Sequence, residues 1–402
     1  MPLKKNQRIT ARPSEFQFAI ADRIEFLNAA DWDSLTANAS VLLSRRYLSA
    51  LQFEATEQIL RRFAIIYEFG RPVAAVATQT FEVSGDKLTS DSTDRKLKLP
   101  EGLRRKSLAM LKRRVMMCGN VHSWGPHGVA FAEGEDAARL WPGVADCLYR
   151  IRRADRLTGQ TDYVIVKDLF EPDHQHAEAL APFRYRQLKT EPNMVLTIGD
   201  NWTTFDHYTA SLTSRYRAAA KKVLKPFNTE EITVEVISDI ETESARIHEL
   251  YKAVSKRADV RMFALQESTL PRISTALADD FVTIGIRQNQ TLIGFVTVIK
   301  DGKTAIGYYL GLDYKINETL PLYHRLLFAV IEQAIVWNCQ RVSFGRTALD
   351  AKSRLGCRPE ATYVWVRHRI PLLKFVVQQL LKTVTHAEPP DRSPFKEAEQ
   401  SG

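Results

Sequence analysis

No stretch of this sequence approaches the roughly 18 consecutive apolar residues that a bilayer-spanning helix needs, so no segment is expected to cross a membrane. The N-terminus, MPLKKNQRITARPSEFQFAI, is basic but lacks the apolar stretch of a secretion signal. Cysteine is scarce. Cys118, Cys147, Cys339 and Cys357 are scattered without a CxxC pair, which fits a reducing compartment and argues against a zinc site. No nucleic-acid-binding motif is present either. These absences together predict a cytoplasmic protein.

What is present is globular. Apolar residues make up 45% and charged residues 26% of the chain, the balance of a folded, soluble protein. A length of 402 residues suggests two or three domains. The net charge of +9 favours anionic partners such as phosphates, nucleic acid or an acidic membrane surface.

The order of elements repeats. In the first half, strands over Arg62–Phe69 and Val73–Val83 are expected to join across Gly70-Arg71-Pro72, followed by a polar loop over 84–100. A strand ends at Cys118 and leads into the glycine-rich loop GNVHSWGPHG; a helix follows over 135–156, then strands at Tyr163–Leu169 and Met194–Ile198. In the second half, helices over 204–225 and 242–257 precede a hairpin, Phe281–Arg287 with Thr291–Ile299. A strand over Thr304–Leu312, a helix over 321–338, a short strand at Val342–Phe344 and a closing strand at Ala361–Arg369 complete it. This is a repeat of architecture and predicts an α/β fold of two domains packed side by side.

Five motifs stand out. In KTAIGYYLGL, strand alternation puts Ala305, Gly307, Tyr309 and Gly311 on one face, where two glycines suit either a ligand or a closely packed helix. The helix over 321–338 starts just after a strand, a place where free N–H groups attract anions. Leu320, Tyr323 and His324 lie there. GNVHSWGPHG places His122 and His127 in a loop that serves substrate binding or a tight connection. SLTSRYRAAAKKVLKPF carries Arg215 and Arg217 in a basic helix, either a solvated face or a clamp for an anionic group. The segment LLKFVVQQLLKTV, residues 372–384, is an amphipathic helix that would pack on the domain or lie in a membrane interface.

FGRTALDAKSRLG, from Phe344, places charges at helical spacing directly after a strand. Asp350 and Arg354 form an i,i+4 pair. Arg346 sits just past a strand end, where open α/β sheets bind ligands. Arg346 and Lys352 are read as holders of a substrate anion on an exposed helix, so that losing either should barely affect stability. Leu355 is read as a buried plug.

In this order, the tyrosine strand, the following helix and FGR…K…LG resemble the GNAT acyltransferase superfamily, most closely its double-domain, FemAB-like, peptidoglycan-biosynthesis-type branch, over about residues 16–385. The resemblance implies two tandem GNAT-like domains, each a mixed, mostly antiparallel sheet flanked by helices. These would span 16–198 and 199–388, the second with the amphipathic helix, between a flexible basic arm at 1–15 and a disordered tail at 389–402. It implies N-acyl transfer to an amine, with acyl-CoA as cosubstrate and no permanently bound cofactor or metal. The glycine pattern that wraps the coenzyme A pyrophosphate in single-domain members is replaced here by LDYKINETLPLYHR, so an aminoacyl-tRNA donor stays open, and with it a nucleic-acid partner. Tyr308, Tyr309 and Asp313 are the candidate catalytic residues. Arg346, Lys352, Arg215, Arg217, His122 and His127 are candidates for substrate binding, and Leu320, Tyr323 and His324 for the cosubstrate. The acceptor would be a lipid or cell-envelope precursor, met in the cytoplasm or at the inner surface of the membrane. The rival function is a non-catalytic protein that binds anionic lipid or cell-wall precursors.

Overall fold

The computed structural model describes residues 15–52, 59–84, 112–257, 263–370 and 389–396. The basic arm to residue 14, the polar loop from 85 and the amphipathic segment 372–384 lie outside the described residues.

Among the described residues thirteen strands form one sheet. In chain order they are β1 (Phe16–Ala21), β2 (Ile59–Glu68), β3 (Arg71–Ser84), β4 (Lys112–Cys118), β5 (Val129–Phe131), β6 (Tyr163–Leu169) and β7 (Arg186–Thr197). Then come β8 (Ile232–Val236), β9 (Phe281–Gln288), β10 (Thr291–Asp301), β11 (Thr304–Leu312), β12 (Arg341–Ser343) and β13 (Arg358–His368). Their spatial order is β1-β2-β3-β4-β6-β13-β7-β12-β11-β10-β9-β8, with β5 added beside β3. Each half therefore runs hairpin, strand, parallel neighbour: β4 lies parallel to β6 and β11 parallel to β12. Every other strand pair is antiparallel. The closing strand of each half crosses to the other. β13 pairs with β6, β7 pairs with β12, and the two exchanged strands pair with each other at the centre.

Helices cover both faces. On one face the helices Ala29–Thr36 and Arg45–Gln52 of the first half and Ser244–Ser255 and Thr269–Leu277 of the second share a single apolar cluster. On the other, Ala137–Ala154 packs over the first half and Leu322–Val336 over the second. These layers follow from strands apolar on both sides, such as β10, where Leu292 to Ile299 are all buried; such a strand must be covered twice.

Local differences from the sequence reading have physical causes. The first hairpin turns at Phe69 and Gly70, both with positive φ, while Arg71 already belongs to β3. Two left-handed residues match the strand twist, which a three-residue Gly-Arg-Pro turn would not. The helix expected over 204–225 breaks into Phe205–Ser211 and Ser214–Leu224. The break is where the C-terminal segment docks: Thr213 N–H donates to the Pro394 carbonyl and Lys396 N–H to that of Ser211, and Leu212 bridges Phe395.

That docking also corrects the tail. Residues 391–396, expected to be disordered, run against the second half. The Phe395 ring packs near Trp202 and Tyr208, with ring centroids 5.4 and 6.2 Å away, and covers Gly356. Gly356 has φ +94°, and a side chain there would collide with that ring. Phe395→Ala is expected to destabilise the protein by about 1–3 kcal/mol, the value of burying much of an aromatic side chain, read as a lower urea midpoint.

Candidate active site

The alternation of β11 is broken. β10 pairs Val298 with Gly307 and Val296 with Leu310, so β11 carries one extra residue at Tyr308–Tyr309. Such a bulge re-aims side chains. The expected single face therefore splits. Ala305 joins the core under the Leu322–Val336 helix, and a Cβ at Gly307 would point there too, toward Val330 and Phe344. Tyr308 and Tyr309 both turn to the opposite face, where a Cβ at Gly311 would press on the Tyr251 backbone of the Ser244–Ser255 helix. The Thr297 hydroxyl takes up the irregularity, accepting from Tyr309 N–H at 2.9 Å and donating to the Tyr309 carbonyl at 3.1 Å.

The gap opens next to the bulge. β11 and β12 pair only over Thr304–Ile306 and Arg341–Ser343. β11 then runs on to Leu312, while the other strand leaves the sheet after Phe344. Asn193 of β7 fixes that exit, its Oδ1 accepting from the Ser343 hydroxyl at 3.0 Å and from Gly345 N–H at 3.1 Å. Between the diverging chains lies a cavity of about 480 Å³, whose lining includes Tyr308, Tyr309, Phe344, Arg346 and Lys352.

The first half supplies the remaining wall. GNVHSWGPHG follows β4 at the matching strand end and reaches across, bringing His122, Ser123 and Trp124 to the cavity. Trp124 Nε1 donates to the Ser343 hydroxyl at 3.0 Å. Its ring lies over Gly345, where an added Cβ would come within 2.9 Å of it. His127 is buried and bonds the Trp124 carbonyl at 2.7 Å. Burial, reinforced by the Lys167 charge, lowers its pKa to about 3, so it serves as a neutral brace of the loop.

Two hydrogen-bonded groups have members in the cavity lining. Asn120 Nδ2 donates to the Tyr47 hydroxyl at 2.8 Å, and that hydroxyl lies 2.8 Å from the Tyr308 hydroxyl. All three side chains are buried. The Tyr309 hydroxyl is spent on the His122 carbonyl at 3.0 Å. The second group is ionic. Asp168 of β6, fully buried, accepts from both Lys167 and Arg346, and from Gly125 N–H at 3.3 Å. Lys167 also donates to the Ser123 carbonyl. Burial and the Arg346 charge push the Lys167 pKa well below its usual value, and burial alone brings Arg346 to about 10.

Lys352 is not the exposed helical charge the spacing suggested. Its side chain is 3% exposed and its Nζ donates to the carbonyls of Phe344 at 2.6 Å and Gly345 at 3.2 Å, tying the strand exit down. Burial lowers its pKa from the usual 10.5 to about 8. The unfolded chain therefore holds a proton that the folded chain has lost between about pH 8 and 10.5, so this residue makes stability rise with pH over that window. Urea titrations are expected to show the rise, and Lys352→Met to flatten it.

Of the other singled-out residues, all but Tyr323 lie apart from the cavity lining. Asp313 caps the short helix Tyr314–Asn317, accepting from Lys315 N–H at 2.9 Å. Arg215 is exposed and Arg217 half-buried on the Ser214–Leu224 helix. At the start of the Leu322–Val336 helix, Tyr323 reaches the cavity edge while Leu320 packs on the core beneath. Burial lowers the His324 pKa. The Leu322 N–H bonds the Leu320 carbonyl and that of Tyr323 bonds Asn317 Oδ1. Asp350 pairs with Arg354 as the spacing predicts, and with Arg392 of the docked tail. Tyr47, Asn120, Ser123, Lys167 and Asp168 were missed. Asn120 and Ser123 lie in the glycine-rich loop, of which only the histidines were singled out, whereas no local motif marks Tyr47, Lys167 and Asp168, which come together with the site only through the fold.

Among the described residues no helix is long and apolar enough to cross a membrane. Residues 214–353 match the family model described as an acetyltransferase (GNAT) domain. No curated protein matches the sequence. Among solved structures, a crystal structure of FemX aligns with TM-score 0.55 and 12% identity, over 87% of this chain and 98% of that one. A conserved protein of unknown function from Bacteroides thetaiotaomicron aligns with TM-score 0.50 and 11% identity, over 87% and 99%. A tandem GNAT protein from the clavulanic acid biosynthesis pathway gives TM-score 0.48 and 12% identity, over 88% and 98%. Residues 214–353 thus carry an acetyltransferase (GNAT) domain, and the chain as a whole shares the fold of FemX.

Proposed function

We propose that the protein transfers an acyl group from a thioester, acyl-CoA, to a primary amine, with the reacting carbonyl held between β11 and β12. The observation that carries this reading is the cavity in the parallel-strand gap, with Tyr308 in its lining and the Tyr308 hydroxyl at the end of the Asn120–Tyr47 chain. The amine nitrogen attacks the carbonyl carbon, the C–N bond forms and the C–S bond breaks. Tyr308 gives its proton to the departing thiolate and is restored by the proton the amine loses. Protons balance without a covalent enzyme intermediate, and alignment supplies much of the acceleration. Tyr309, engaged with the His122 carbonyl, acts by holding the loop against the bulge.

The test is thiol release from acetyl-CoA and longer acyl-CoA thioesters, each with a panel of primary amines, beside calorimetric binding of the donor. Release that depends on the amine supports the reading. Absence of thioester binding, combined with amide formation from charged tRNA, replaces the donor; the internally bonded start of the Leu322–Val336 helix is the feature that would fit that outcome.

A further inference from the structure

The cavity wall has an imbalance of charge. Its lining includes three basic side chains, Lys167, Arg346 and Lys352, and no carboxylate among the described residues. Lys352 is consumed by backbone carbonyls. Lys167 and Arg346 share one carboxylate, Asp168, so with Lys167 protonated this buried group carries one more positive than negative charge. Two polar atoms beside it have no hydrogen-bond partner among the described residues: the Ser123 hydroxyl, on a residue 8% exposed, and Nε of Arg346. Buried polar groups are nearly always bonded, and an uncompensated buried charge is costly. Cations and hydroxyl thus gather at one wall of a cavity large enough for a ligand.

We propose that this wall seats an oxyanion, phosphate or carboxylate, carried by the amine acceptor. Lys167, Arg346 and Ser123 are its donors. The proposal rests on the acyl-transfer reading for the word acceptor. Ser123 and Lys167 belong to the first half, whereas the thioester in that reading lies between two strands of the second. One added anion would neutralise the pair of cations over Asp168 and satisfy both orphaned atoms. The acceptor class is therefore an amine bearing a phosphate or a carboxylate, and a neutral amine would leave the wall unpaired.

The experiment needs no acyl donor, so it stands apart from the catalytic reading. Ethanolamine, O-phosphoethanolamine and β-alanine are titrated into the full chain by ligand-observed NMR, which reads millimolar affinities. At least one anionic probe is expected to bind about tenfold or more tightly than ethanolamine, the effect of one charge-assisted hydrogen bond; which of the two prevails distinguishes phosphate from carboxylate. Lys167→Met and Ser123→Ala should each weaken that probe. Asp168→Asn should strengthen it, because it removes the competing carboxylate while asparagine tolerates the left-handed backbone at this position, φ 57°. A thermal melt confirms that each variant is folded. Equal binding of the three probes, binding indifferent to Lys167→Met and Ser123→Ala, or weaker binding in folded Asp168→Asn would overturn the proposal. Should thioester turnover fail while this charge pattern holds, the anion site stands and only the reaction is lost.

Discussion

Replacing Tyr308 by phenylalanine is expected to lower kcat/KM for acyl transfer by about 10²–10³-fold, the usual loss when a placed donor to a developing charge is removed. The fall should lie in kcat, because the hydroxyl acts on the leaving group and contributes little to holding the ground state. Stability should change modestly. Phenylalanine fills the same volume, and the Tyr47 hydroxyl keeps its bond from Asn120 at 2.8 Å. One lost neutral hydrogen bond costs about 0.5–1.5 kcal/mol. Tyr309→Phe is the internal control. Its hydroxyl braces the His122 carbonyl, so its loss should loosen the loop and raise KM more than it lowers kcat. Steady-state kinetics on both variants, with a melt for each, separate the roles. Tyr308→Phe at wild-type kcat would remove Tyr308 from the chemistry.

The distinction between these tyrosines shows what the sequence could and could not reveal. Element order was legible because long apolar strands and the 3.6-residue stripe of the helix after β11 depend on near neighbours. β8 and the Thr269–Leu277 helix were not. ITVEV is a five-residue edge strand, and TLPRISTAL carries a proline within nine residues; both take their form from the sheet they pack on. The bulge was invisible for another reason. It is set by how Thr297 on the neighbouring strand meets Tyr308 and Tyr309, and period-2 alternation presumes an unbroken ladder. The exchange of β7 and β13 was equally hidden, and it is what carries Asp168 to within bonding distance of Arg346. A site assembled by exchanged strands leaves no spacing to read.

Arg346 tests that assembly most directly. Read as an exposed helical charge, it would cost under about 0.5 kcal/mol to remove. In the fold its side chain is 25% exposed and its partner Asp168 is fully buried. Removing one partner of a buried ion pair typically costs about 3–5 kcal/mol. Lys167 remains beside Asp168 and keeps it paired, so Arg346→Ala falls below that range, at about 1.5–3 kcal/mol, the worth of a hydrogen bond between charged groups. The same change should remove activity, since the strand exit that shapes the cavity loses its tie to the first half. The double variant Arg346→Ala/Asp168→Asn separates the two effects. There Lys167 is left with no carboxylate, so any stability that returns measures the coupling between Arg346 and Asp168, while activity stays low because the guanidinium is still missing. Equilibrium urea unfolding and acyl-transfer kinetics on the two single variants and the double complete the cycle. A fully stable Arg346→Ala protein would mean that Asp168 is satisfied by Lys167 and Gly125 alone, and that the arginine faces the substrate with no part in joining the halves.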